Sequence, residues 1–166
     1  MDVGAENTAR LSEVEQIYRA RLPELCRVAA AISGSRQAAP DLVQEAFVRA
    51  VRRIDSFRAD GPLEGWLWRI VVNVASNGRR EPLTVALPEE EPGTDASPAP
   101  AQAELAAAMS QLSERQRLVL FLRYYADLDY STIAEALSIS TGTVGATLTA
   151  ARTALGHALE VKEAAP

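Results

Sequence analysis

The stretch "YSTIAEALSISTGTVGATLTAARTALG", residues 130–156, decides the fold of the C-terminal half. "YSTIAEAL" has the length and spacing of a short helix, "SIS" is a three-residue turn, and the remainder reads as a longer helix. Ile133, Leu137, Ile139, Val144 and Leu148 recur where two crossed helices share a small core, and Ala134 is small where they cross closely. This is helix-turn-helix spacing, which occurs both in plain structural corners and in DNA-binding units, where the second helix meets the duplex. Yet residues 141–156 hold five threonines, one arginine and no lysine, with glycines at 142 and 145. Interior glycine costs a helix about 1 kcal/mol relative to alanine.

Upstream, Ser113 and Gln116 in "SERQ" form a capping-box pattern that starts a helix. "RLVLFLRYYA" continues it amphipathically to the turn-like "DLD". Before that lies "EPLTVALPEEEPGTDASPAPAQAE", residues 81–104, with five prolines, six acidic residues and no base. Such a composition reads as an extended linker. It divides the chain into two small helical domains, 10–80 and 105–160, and the fold class is all-α.

The N-terminal domain opens with "LSEVEQIYRARLPELCRVAAAISGS", whose apolar stripe runs from Leu11 to Ile32. Pro23 is expected to end one helix or begin another. "PDLVQEAFVRAVRRI", residues 40–54, follows; Pro40 and Asp41 suit a first helical turn. Leu42, Val43, Ala46, Phe47, Ala50, Val51 and Ile54 fall on one side, and Asp41, Gln44, Glu45, Val48 and Arg52 on the other. Val48 is the apolar exception on that outward face. After the loop "SFRADGPLEG", residues 66–80 read as a further helix, "WLWRIVVNVASNGRR". Trp66 and Trp68 point about 160° apart on such a helix, so one is expected buried and the other partly exposed.

The totals narrow the function. A net charge of −5 argues against nucleic acid until it is mapped: residues 36–80 carry eight arginines and five acids, and the acidity is concentrated in 81–104. Cys26 and His157 are each the sole residue of their type, which leaves no Cys or His metal site, and no paired-carboxylate or phosphate-loop pattern points to catalysis. No enzyme activity, cofactor or metal is expected. The apolar runs are too short to span a membrane and no signal peptide is visible, so a cytoplasmic protein is expected. Phe57, Arg58, Trp66, Arg69, Asn73, Asn77, Arg79 and Arg80 bring rings, amides and cations together as single-stranded nucleic acid requires.

"DLVQEAFVRA", with the loop and helix that follow it, resembles region 2 of bacterial sigma factors of the extracytoplasmic-function (ECF) group. "LSERQRLVLFLRYYADLDYSTIAEALSISTGTV" is similar to their region 4. The resemblance implies a promoter-specificity factor for core RNA polymerase. It assigns Asp41, Gln44, Glu45, Val48 and Arg52 to the polymerase clamp. Phe57, Arg58, Trp66, Arg69, Asn73, Asn77, Arg79 and Arg80 go to the −10 element, and Ser131, Thr141, Thr143, Thr147 and Arg152 to the −35 element. It also implies contact with the polymerase flap and an anti-sigma partner, and gives the acidic linker a role as a nucleic-acid mimic in a polymerase channel. The chain departs from the family pattern at Pro40, at Asn77-Gly78 and at Gly145, Ala146 and Thr147, where the family carries lysine or arginine. Each lost phosphate contact weakens duplex binding and its salt dependence. A second reading is therefore a sigma-like regulator acting mainly by protein contact and reading DNA weakly.

Overall fold

The computed structural model describes residues 3–77 and 100–163. Among them are seven α-helices and no strand. The N-terminal unit is α1 (Val3–Ser33), α2 (Ala39–Arg52), a 3-10 turn (Ile54–Ser56) and α3 (Leu63–Asn77). The C-terminal unit is α4 (Pro100–Ser110), α5 (Glu114–Tyr124), α6 (Tyr130–Leu137) and α7 (Thr141–Glu163). Helix α4 starts at Pro100, inside the stretch read as linker to residue 104; proline is well suited to a first helical turn.

Helix α1 does not break at Pro23 but runs through it. The ring removes one backbone bond and costs about 3 kcal/mol. On the opposite face Leu25, Val28, Ala29 and Ile32 are buried almost completely, each large side chain contributing about 1.5–3 kcal/mol. Burial outweighs the break, and the exposed side of the helix accommodates the ring. Helix α2 buries Val43, Ala46, Phe47 and Ala50 against α1 and α3. Tyr18 meets Phe47 edge-on at 4.7 Å between ring centroids. Val51 departs from its expected inward position and is 49% exposed. It lies three residues after Val48 and seven after Gln44, which returns it to their side of the helix.

Both tryptophans are buried, Trp66 at 5% and Trp68 at 0% exposure, which corrects the expectation of one exposed ring. Helix α3 is covered on two sides: α1 and α2 pack on one, and α6 of the C-terminal unit packs on the other. Rings that point in nearly opposite directions therefore both meet protein. Trp68 donates to Glu64 Oε1 at 3.4 Å, and Arg21 of α1 reaches the same oxygen at 3.0 Å.

The capping box is present: Gln116 N–H donates to Ser113 Oγ at 3.2 Å, and Ser113 N–H donates to Gln116 Oε1 at 2.9 Å. Ile133, Val144 and Leu148 are fully buried, as the helix-turn-helix spacing requires, while Leu137 and Ile139 pack at the edge of the core. Ser138 turns the chain in the left-handed region (φ 54°). A Cβ on Gly145 would find only Tyr130 Cε2 at 3.6 Å, an ordinary contact. Packing therefore does not require glycine there. Gly145→Ala should stabilise the protein by up to about 1 kcal/mol, read as a higher midpoint in thermal unfolding followed by circular dichroism.

Candidate polymerase and nucleic-acid interfaces

Three surfaces carry the residues singled out from the sequence. On α2, Asp41, Gln44, Glu45, Val48 and Arg52 are all exposed. Glu45 pairs with Arg49 one turn on at 2.7 Å, an exposed pair of the kind that adds only a few tenths of a kcal/mol. Val48 and Val51, 39% and 49% exposed, form a small apolar strip among these charges. Val51 was missed by sequence reasoning, although its spacing from Val48 carried the signal.

The second surface is a cleft of about 310 Å³ between the loop after the 3-10 turn and the start of α3. Ser56, Phe57, Arg58, Asp60, Trp66 and Arg69 line it, joined by Glu135 from α6. Phe57 lies 5.6 Å from the Trp66 ring, with the Arg10 guanidinium 5.6 Å from its own centroid. Arg58 is exposed at the loop, beside Ala59, which adopts positive φ (57°). Trp66, Arg69, Asn73 and Asn77 fall within about 80° of one another on α3, and Asn73 and Asn77 are exposed. Arg69 is not free: its Nη1 lies 3.1 Å from Glu135 Oε1. Arg79 and Arg80 lie outside the described residues. No local pattern marks Glu135, whose place in the cleft depends on packing between distant helices.

The third surface is the N-terminal half of α7 with the start of α6. Asp129 caps α6, accepting from Thr132 N–H at 2.7 Å and from Ser131 Oγ at 2.9 Å. The Thr132 and Ser131 hydrogen bonds hold its carboxyl below the usual carboxylate range. Ser131 and Thr141 are exposed, and Thr143 and Thr147 half-buried. The Thr143 hydroxyl is engaged with Ser140 Oγ at 2.8 Å, and Thr149 bonds back to the Gly145 carbonyl at 3.0 Å. Arg152 lies over Tyr124, 5.6 Å from the ring centroid. The face is thus polar but weakly charged. Among the described residues no His, Cys, Asp and Glu cluster could hold a metal, and no helix is long and apolar enough to cross a membrane.

Residues 17–81 match the family described as Sigma-70 region 2, and residues 102–155 match Sigma-70, region 4. The RNA polymerase sigma-H factor of Pseudomonas aeruginosa is 35% identical, over 75% of this chain and 74% of that protein. The ECF RNA polymerase sigma-E factor of Escherichia coli K12 is 33% identical, over 73% of each. The chain belongs to the ECF group of the sigma-70 family. It is an RNA polymerase sigma factor, and its two regions imply core polymerase and promoter DNA as partners. The solved complex of the sigma factor RpoE with the anti-sigma factor NepR from Bartonella quintana is similar over 90% of this chain and 98% of that one, with TM-score 0.62 and 25% identity. CnrH, solved with the cytosolic domain of CnrY, shares the fold over 93% of this chain and 95% of that one, with TM-score 0.66 and 22% identity.

The Asp129 cap holds the entry to the helix-turn-helix of this sigma factor. Asp129→Ala should cost about 1 kcal/mol. Because the folded-state pKa is lowered, the cap's ionic contribution is present above the unfolded-state value near 4 and is lost as pH falls through the folded value. Chemical unfolding at pH 7 and at pH 3 checks this: the gap between wild type and D129A should narrow at the lower pH.

Proposed function

We propose that this sigma factor divides its work among the three surfaces. The outward face of α2 docks on the polymerase clamp; the 57–62 loop with α3 captures the −10 element as single strand; the α6–α7 unit approaches the −35 element as duplex. The observation that carries the reading is the outward face of α2. Val48 and Val51 stand exposed among Asp41, Gln44, Glu45 and Arg52. A water-exposed apolar strip rimmed by charge is the composition of a protein-binding patch.

For the −10 element the support is chemical. Phe57 and Trp66 offer rings for stacking, Arg58 and Arg69 offer cations, and Asn73 and Asn77 offer paired donors and acceptors on one helix face. The −35 contact is the weakest of the three. Helix α7 offers Thr141, Thr143, Thr147 and Arg152, with one threonine hydroxyl and the guanidinium already engaged. Free protein therefore binds duplex weakly, and polymerase supplies most of the grip that delivers α7 to the promoter. The same bareness favours the second reading, a regulator that binds polymerase and reads DNA poorly. The protein acts in the cytoplasm, where promoters are, and takes an anti-sigma partner, as the Bartonella quintana relative does in its solved complex.

Reconstitution with core polymerase and genomic DNA separates the readings. Specific initiation from a defined promoter set supports the first; tight polymerase binding without specific initiation supports the second and overturns the first. Val48→Asp with Val51→Asp should leave thermal unfolding within about 0.5 kcal/mol of wild type while lowering polymerase affinity at least tenfold. Asn73→Ala with Arg80→Ala should retain polymerase binding and lose promoter opening, followed by permanganate footprinting; unaffected opening overturns the −10 assignment.

A further inference from the structure

The first turns of α1 reach the foot of the 57–62 loop. Two of their side chains, ahead of residue 17 where the match to region 2 begins, make the contact. The Asn7 side-chain amide donates to Asp55 Oδ1 in the 3-10 turn. Three residues on, and so on the same side of the helix, the Arg10 guanidinium lies over the Phe57 ring, 5.6 Å from its centroid. Glu6 holds that guanidinium from one turn earlier at 2.5 Å. The Arg10 side chain is 22% exposed, against 77% for Arg19 on the same helix. Partial withdrawal from water strengthens the attraction between a cation and a ring. Phe57 in turn stands 5.6 Å from Trp66, tilted by 52°. Phe57 and Arg58 line the cleft, and Arg10 does not. Two residues beyond Phe57, Ala59 sits at φ 57°, a conformation that a residue with a side chain keeps only where its surroundings impose it.

We propose that Arg10 and Asn7 are positioning residues for strand capture: they fix the foot of the 57–62 loop at Phe57 and Asp55, so that the Phe57 ring and Arg58 are preset to receive an unpaired base and its phosphate. This rests on the assignment of that loop to the −10 strand. Arg10 acts through Phe57 and does not itself touch DNA. A ring held against a guanidinium and an indole has less freedom to lose when a base stacks on it, so more of the stacking energy appears as affinity. Asn7 does the same for the turn from which the loop leaves. Within that turn the Ser56 and Phe57 N–H groups donate to the Arg53 and Ile54 carbonyls at 2.8 and 3.1 Å, and Asn7 ties the turn to α1. Loss of one such partly exposed contact corresponds to about a threefold change in affinity.

Three variants of the full chain test this. Arg10→Met keeps the aliphatic stem and removes the cation; Arg10→Lys keeps a cation; Asn7→Ala removes the tie to Asp55. Each new residue is a good helix former, and circular dichroism should show helicity retained. In the free protein, NMR relaxation should give order parameters below about 0.6 at amides 58–61 for Arg10→Met and Asn7→Ala, and values near wild type for Arg10→Lys. With core polymerase, fluorescence anisotropy of a labelled mixed-sequence single-stranded 12-mer should show sigma-dependent binding about threefold weaker for Arg10→Met and Asn7→Ala, and restored in Arg10→Lys. Unchanged order parameters in Arg10→Met or in Asn7→Ala overturn the assignment of that residue. Equal loosening in Arg10→Met and Arg10→Lys overturns the role of the cation. A loosened loop with unchanged 12-mer binding overturns the part in strand capture; promoter opening by the Asn73 and Arg80 variant then tells separately whether the −10 assignment stands.

Discussion

The structure depends on the burial of α3 from two sides at once. Its Leu67, Trp68, Val71 and Val74 are buried in the core, and Gly65 meets α6 of the C-terminal unit. Without a side chain on Gly65, two helix backbones come near enough for Glu135 to reach Arg69. The pair is partly screened, so its own contribution is modest. Burial of apolar side chains in the core that these helices share accounts for most of the attraction.

The two candidate surfaces of the N-terminal unit differ because their helices differ in what they bury. Helix α2 packs one face only, so its outward residues stay in water and an apolar strip there has meaning. Helix α3 is apolar over most of its circumference, and the side that carries Arg69 is also a packing side. The cleft is therefore built from groups that serve the fold: Phe57 between Arg10 and Trp66, and Arg69 against Glu135. In α7 the Thr149 and Thr153 hydroxyls bond back to their own helix, which further lowers the free polarity of a helix already short of cations.

Local signals were legible wherever a single element decides the outcome. The Ser113–Gln116 capping box and the Ile133, Val144 and Leu148 core could be read from spacing, because both arise within a few residues of chain. Pro23 misled because propensity is local while the burial of Leu25, Val28 and Ile32 is tertiary. Val51 misled because a wide apolar stripe was drawn one position too far around α2. Of the candidate site, the outward face was legible at Val48 and Arg52, and the residue types were legible at Asn73 and Asn77. The Glu135 carboxylate beside Arg69 was not, since residues 69 and 135 approach only through the docking of two helices far apart in the chain.

The sequence by itself determined an all-helical chain of two units and most of the inward face of α2, through periodicity and capping, and the resemblance of two motifs in order pointed to the ECF sigma group. All of these signals are carried by neighbouring residues. Only the tertiary structure decided that both tryptophans are buried, that Arg69 is paired, and that the helix-turn-helix lies against α3. Those outcomes turn on how near two backbones come, and a glycine in a sequence does not say which helix will approach it.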